Sequence, residues 1–242
     1  MSKRIALITG ANKGIGYQTA LQLGKKGIYI LVASRDIEAG ESAVMQLKQE
    51  GVSAEPLQLD ITSKENIATA ASYVESTFGK LDILVNNAGV MLDAFDKSPT
   101  QQSSEVWRKT FDVNLFGAVD VTNAFVALLK NSDAGRIVNV SSILGSMAAN
   151  TDPESEFYNF KIPAYNISKS AINAWTVHLA YELRDTPIKV NAAHPGFVKT
   201  DLHGVDAPLT PEEGAYTSVA LAMLADDGPN GEFYHVSERQ PW

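Results

Sequence analysis

"RIALITGANKGIG", residues 4 to 16, decides how the rest of the chain is read. Ile5 to Ile8 form an unbroken apolar run, the pattern of a strand covered on both faces. The run meets Thr9-Gly10, and Gly14 and Gly16 follow where a helix can begin. Strand, glycine turn and helix in that order make a crevice in which phosphates rest on backbone N–H groups and on the positive end of the helix dipole. Gly10 is expected to permit the turn, Gly14 close approach of a ligand, and Gly16 packing of the helix on the strand. The spacing, T-G-x-x-x-G-x-G, differs from the G-x-G-x-x-G dinucleotide fingerprint, so the surrounding chain must support the reading.

It does so by alternation. "IYILVAS" precedes "DIEAGESAVMQLKQE", "SAEPLQLD" precedes "SKENIATAASYVESTFG", and "LDILVNNAG" follows. A long helical segment from about Ser103 to Lys130 leads to "GRIVNVSS", a helix around Tyr165 to "IKVNAAHPG", and a last helix from about Pro211 to Leu224 to "GEFYHV". Successive strand and helix units of this kind predict an α/β fold, a doubly wound parallel sheet of about seven strands with helices on both faces. At 242 residues a single domain is expected. The least regular stretches, Met147 to Phe160 and Thr200 to Thr210, fall in loop segments of about 146–162 and 198–211. The second carries Gly204, Pro208 and a capping pattern, "TPEE".

Composition narrows the chemistry. A net charge of -8 argues against sequence-independent binding to nucleic acid or anionic membranes, which would repel the summed field. The N-terminal apolar run is too short for a secretory core or a membrane span, so a cytoplasmic protein is expected. With no cysteine, thiol nucleophiles and cysteine-based zinc sites are excluded. The four histidines show no paired metal-ligand spacing, and no metal is expected.

The cofactor follows from charge at the end of the second strand. An NAD enzyme places an acid there for the ribose 2′-hydroxyl, and that acid would repel a 2′-phosphate. This chain has "ASRD": Ser34 and Arg35 occupy the region, and with Lys13 from the glycine loop they can surround a dianion, which favours NADPH. Two alternatives stay open. Shifted by two residues, Asp36 would be a ribose acceptor, and Arg35 and Lys13 can equally be solvated surface charges.

Further polar residues sit at strand ends. Asp60 can accept from an adenine amino group or cap the helix starting near Ser63. Asn86 and Asn87, in "NNAG", suit a wall against which a cofactor lies, or a simple turn. Asn114 stands inside a predicted helix, where asparagine must find a partner or a role. In "NVSS" a hydroxyl can meet a substrate carbonyl, and Ser142 is favoured over Ser141. Tyr165 and Lys169, four apart, share a helix face; such a pair is surface decoration, or the ammonium tunes the phenol as an acid. His194, beside Pro195, is read as structural with substrate contact as the alternative, and His203 as a weaker candidate. Phe157, Tyr158 and Phe160 can line an apolar pocket or pack in the core.

Taken in order, Thr9-Gly10-x-x-x-Gly14-x-Gly16, Asp60, Asn86-Asn87-Ala88-Gly89, Asn114, Ser142, Tyr165-x-x-x-Lys169 and Pro195-Gly196 resemble the short-chain dehydrogenase/reductase family over essentially the whole chain. The resemblance implies a Rossmann fold and a catalytic tetrad. Ser142 would orient a carbonyl, Tyr165 deliver the proton, and Lys169 bind the nicotinamide ribose and lower the tyrosine's pKa, while Asn114 would hold a water linking Lys169 to solvent. It also implies cofactor contacts from Asn12, Ile15, Ile61, Ala88, Gly89, Pro195, Gly196, Val198 and Thr200. "HPGFVKTDL", "TPEEGA", "DGPNGEFY" and "ERQPW" look like the NADPH-dependent carbonyl reductase branch, whose substrates are ketones, aldehydes and quinones. That branch carries a long insertion between serine and tyrosine; here they are only 23 positions apart, which leaves the oligomeric state open. The rival expectations are an NAD-dependent sugar or steroid alcohol dehydrogenase, which needs Asp36 at the ribose, and a non-catalytic NADP-binding sensor.

Overall fold

The computed structural model of the protein describes residues 3–202 and 206–242. His203 and Gly204 therefore lie outside the described residues. The chain runs β1 (Ile5–Thr9), α1 (Gly14–Lys25), β2 (Tyr29–Ser34), α2 (Ile37–Gln49), β3 (Ala54–Gln58), α3 (Lys64–Phe78) and β4 (Ile83–Asn86). After it come α4 (Ser104–Phe111), α5 (Ala118–Lys130), β5 (Arg136–Val140), α6 (Met147–Thr151), α7 (Pro163–Glu182), β6 (Lys189–Ala193), α8 (Pro211–Ala222), β7 (Phe233–His235) and β8 (Glu238–Arg239).

The described strands form one sheet in the order β3-β2-β1-β4-β5-β6-β7-β8. β1 to β7 are parallel. The sequence pattern predicts about seven strands, and the eighth is the difference: two residues turned back antiparallel on β7, Tyr234 opposite Arg239, too short to carry a hydrophobic period.

Strand side chains point alternately to the two faces of a sheet, and the two cores divide accordingly. Ala6, Ile8, Ile30, Val32, Ile83 and Val85 pack with Leu23 of α1, Leu47 of α2 and Val219 of α8. Leu7, Leu31, Leu84 and Ile137 pack with Val74 of α3, Phe125 of α5 and Leu179 of α7. Each fully buried Leu or Ile contributes about 1.5–3 kcal/mol, so both layers are needed. The chain order reverses at β1, which lies between β2 and β4. Crevices of open α/β sheets lie at such reversals, beyond the carboxyl ends of the strands.

Helix starts follow the caps. Asp36 accepts from Ala39 N–H, Ser63 from Asn66 N–H and Ser103 from Val106 N–H. At α8 the "TPEE" pattern closes a full capping box between Thr210 and Glu213. The helical segment from Ser104 to Lys130 is long and apolar enough to cross a membrane by length and composition, yet Val121, Phe125 and Leu129 on it are wholly buried in the core. It is not one regular helix either, because Asp112–Gly117 is wound as a π-helix. Such insertions recur at functional sites, and this one contains Asn114.

Candidate active site

A cleft of about 600 Å³ opens at the reversal point, lined by the glycine loop, Asn87 to Leu92, and Lys199 to Leu202. Gly10 and Gly14 both adopt left-handed backbone, φ 63° and 57°. For Gly14 this conformation, rather than crowding by the protein, is what calls for glycine, since a Cβ there would meet nothing closer than Thr200 Cγ2 at 3.6 Å. At Gly16 the reverse holds: a Cβ would lie 2.4 Å from the Gly10 carbonyl oxygen and 2.5 Å from the Asn87 amide nitrogen. Lys13 occupies the N-cap of α1 without a side-chain cap bond, so no side chain of the cap residue covers the positive end of α1 at the cleft. Asn12 and Ile15 line the same wall.

Ser34 is buried at the end of β2, Arg35 beside it is exposed, and Asp36 is engaged as the cap of α2. The shift that would turn Asp36 toward a ribose would cost α2 its cap, about 0.5–2 kcal/mol. Lys13 pairs with Asp201 across the cleft, 2.5 Å apart with both side chains well exposed. Asp60 does not cap α3, as Ser63 does that; its carboxylate instead takes Thr62 N–H at 2.9 Å and the Thr62 hydroxyl at 2.7 Å. Ile61 is 9% exposed and packs in the core, and a Cβ on Gly117 of the π segment would meet its side chain at 2.8 Å.

The two asparagines of "NNAG" separate. Asn86 is buried and donates to Asn139 Oδ1 of β5 and Thr122 Oγ1 of α5, and Asn139 donates in turn to Thr176 of α7. This polar ladder ties sheet to helices and stands away from the cleft lining. Asn87 lines the cleft and donates to the carbonyl oxygens of Thr9 and Gly10, holding the glycine turn against the end of β4. Ala88 N–H is held by the Thr9 hydroxyl at 3.0 Å.

At the inner end a cavity of about 70 Å³ is lined by Gly89, Tyr165, Lys169, Pro195, Gly196, Val198 and Thr200, among others. Tyr165 is 4% exposed, Lys169 4% and Ser142 7%. Lys169 Nζ donates to the Val140 carbonyl at 2.8 Å and lies 5.6 Å from the centre of the Tyr165 ring. Burial draws the Lys169 ammonium down to about 8. Burial also pushes the Tyr165 phenol up to about 12, against a hydrogen bond with Ser142 that favours the phenolate. Burial, rather than the lysine, therefore dominates the phenol's acidity here, and the phenol is protonated at neutral pH. Ser142 also accepts from Leu144 N–H at 3.2 Å, opening a short 3-10 turn, Ile143–Gly145. Gly145 makes that turn possible: a Cβ there would lie 2.6 Å from the backbone of Lys169. The Ser141 hydroxyl is directed at the Lys169 carbonyl at 3.4 Å, which leaves Ser142 as the serine beside the phenol.

Asn114 Oδ1 accepts from Val90 N–H at 2.8 Å, and its amide donates to the Val90 carbonyl and to Ser168 Oγ, each at 2.9 Å. Its side chain thus pins a loop to the tyrosine helix, a use the sequence reading of a water holder does not anticipate. His194 Nδ1 accepts from Ile143 N–H and Gly196 N–H, both at 3.3 Å, joining the turn after Ser142 to the Pro195-Gly196 loop. The aromatic trio divides, with Phe157 packed against a small core around Ile143 and Phe233 while Tyr158 and Phe160 are exposed.

Sequence reasoning misses Asp93 and Gln102, buried in the loop after β4. The available signal was an omission, because α7 starts at Ile162-Pro163 with no Ser, Thr, Asp or Asn at its N-cap and must take a cap from elsewhere.

A family model described as short chain dehydrogenase matches residues 4–208. Short-chain dehydrogenase anuI of Penicillium roqueforti is 40% identical over 228 residues, covering 92% of this chain and 89% of its own. Carbonyl reductase [NADPH] 1 of Mus musculus is 34% identical over 279 residues, covering 100% and 99%. Among solved structures, salutaridine reductase from Papaver somniferum superposes with a TM-score of 0.82 at 31% identity, covering 96% of this chain and 99% of that one.

Proposed function

Because the chain belongs to the short chain dehydrogenase family, an oxidoreductase family, we propose that it is an NADPH-dependent carbonyl reductase with Tyr165 as the proton donor. The observation that carries this reading is the buried Tyr165, bonded to Ser142 and one helical turn from Lys169 at the inner end of the cleft. The similarity to carbonyl reductase [NADPH] 1 supports it.

The residues suit a dinucleotide. The uncapped start of α1 and the left-handed glycines offer backbone N–H groups to phosphates, and a cleft of about 600 Å³ gives room for a cofactor. Arg35 and Lys13 are the cations for a 2′-phosphate, and the engagement of Asp36 as a helix cap weighs against an NAD-type ribose acceptor. Bound there, NADPH supplies a hydride to the carbonyl carbon. Ser142 donates to the carbonyl oxygen, and Tyr165 gives that oxygen its proton as negative charge develops on it. Lys169 holds the ribose and favours the phenolate left after transfer.

Burial pushes the Tyr165 phenol up to about 12, so at neutral pH it carries the proton that carbonyl reduction needs.

The test is loss of absorbance from NADPH and, separately, NADH, against aromatic ketones, diketones, aldehydes and quinones. Turnover with NADPH is expected. Arg35→Asp should reduce the NADPH to NADH preference at least about tenfold through lost charge pairing and new repulsion; an unchanged ratio would count against Arg35 as the phosphate residue. Silence with every carbonyl despite NADPH binding would move the reading to a narrow substrate outside that panel or to the non-catalytic sensor.

A further inference from the structure

We propose that Asp93 is a positioning residue for Tyr165, fixing the phenol relative to the wall of the cofactor cleft. The proposal rests on the reading of Tyr165 as proton donor.

A helix begins with N–H groups that have no partner inside it, and in α7 these can be accounted for one by one. Pro163 has none. Ala164 N–H donates to Asp93 Oδ1 at 2.8 Å and Tyr165 N–H to Asp93 Oδ2 at 3.1 Å. Asn166 N–H returns to the Ile162 carbonyl at 2.7 Å. The cap of α7 is thus a carboxylate more than 70 positions earlier in the chain, 7% exposed. Its charge is balanced by two charge-assisted bonds and by the positive end of the helix.

A cap from a slack loop would position nothing, but this loop is held on both sides of Asp93. Val90 is clamped through both backbone groups by Asn114. Ala94 is clamped in the same way by buried Gln102, at 3.1 and 2.7 Å. The Asn114 amide also donates to Ser168 Oγ, and that hydroxyl donates to the Tyr165 carbonyl at 2.7 Å. Both backbone groups of the tyrosine are therefore referred to one loop, the N–H directly through Asp93 and the C=O through Ser168 and Asn114. Gly89 and Val90 of that loop line the cleft. The phenol and the cofactor wall share one frame, and misplacement by about 1 Å costs about 10²-fold in rate.

The experiment measures kcat, KM, NADPH affinity by tryptophan fluorescence and the solvent deuterium isotope effect for Asp93→Ala, Asp93→Asn and each in a Tyr165→Phe background. Asp93→Ala should lower kcat about 30- to 100-fold with NADPH affinity within about threefold, and raise the isotope effect as proton transfer becomes slower. Asp93→Asn keeps one acceptor and should fall between. In the Tyr165→Phe background, followed in single turnovers, neither change should cost more than about threefold, because the residue acts through the phenol.

Wild-type kcat in Asp93→Ala overturns the proposal. So does an equal fold-loss with and without the tyrosine hydroxyl, or a parallel collapse of cofactor affinity, either of which marks a general structural role. If Asp93→Ala fails to fold, Asp93→Asn and its cycle decide. Full activity of Tyr165→Phe alone would remove the proton-donor reading instead, and would be seen without any Asp93 variant.

Discussion

Replacing Tyr165 with Phe is expected to lower the turnover of carbonyl reduction about a thousandfold, with NADPH affinity within about a factor of two. The substitution removes one hydroxyl from a side chain that is 4% exposed and leaves the ring's packing in place. What goes is the proton source and the hydrogen bond with Ser142. Among the described residues no other phenol lines the inner cavity, so water would have to deliver the proton into a buried site. The decisive pair of measurements is kcat by NADPH absorbance and the dissociation constant by fluorescence. Retention of more than about a tenth of wild-type turnover would remove Tyr165 from the reaction.

Lys169→Met should separate stability from activity. The ammonium is buried, and no ion pair among the described residues includes it. Its pKa of about 8 in the fold lies below the ordinary lysine value of 10.5. Between those values the unfolded chain binds the proton and the folded one does not, so stability rises with pH through that window and is lost as pH falls back toward 8. At pH 7 the protonated lysine therefore costs the fold on the order of 3 kcal/mol. Methionine removes the charge and keeps most of the volume, at the expense of the bond to the Val140 carbonyl, worth about 1 kcal/mol. A net gain of about 1–3 kcal/mol, read as a higher Tm without cofactor at pH 7, should accompany a loss of turnover of about a hundredfold or more. The gain should shrink as pH rises from 8 to 10. A lower Tm at pH 7 would show that the bond to Val140 outweighs burial.

The parallel layers were legible because each strand is a short apolar run and each helix repeats its buried positions, as in Leu7 and Ile8 or Ala43 and Leu47. The chain's family was legible in side chains whose types are rare together. Asp93, the Gly145 contact with Lys169 and the clamp of Asn114 on Val90 were not, because each joins segments distant in the chain. No local period announces them. The β8 hairpin and the π segment are too short to bias a periodic pattern. Asp36 caps α2, its carboxylate accepting from the N–H of Ala39, a use the sequence left beside that of a ribose acceptor because both ask for the same side chain.

The place of β1 in the sheet also sets a clock. Its neighbours are β2, made soon after it, and β4, whose Asn87 extension bonds Thr9 from 78 positions away. At about 5–20 residues per second, synthesis leaves the glycine turn waiting roughly 4–16 s for the strand that completes it. During that wait one edge of β1, the apolar run Ile5 to Ile8, lacks its partner and is open to pairing with other chains. The wait of β1 ends only when β4 arrives, and chaperone dependence in the cell should track substitutions in β4 more closely than those in β7.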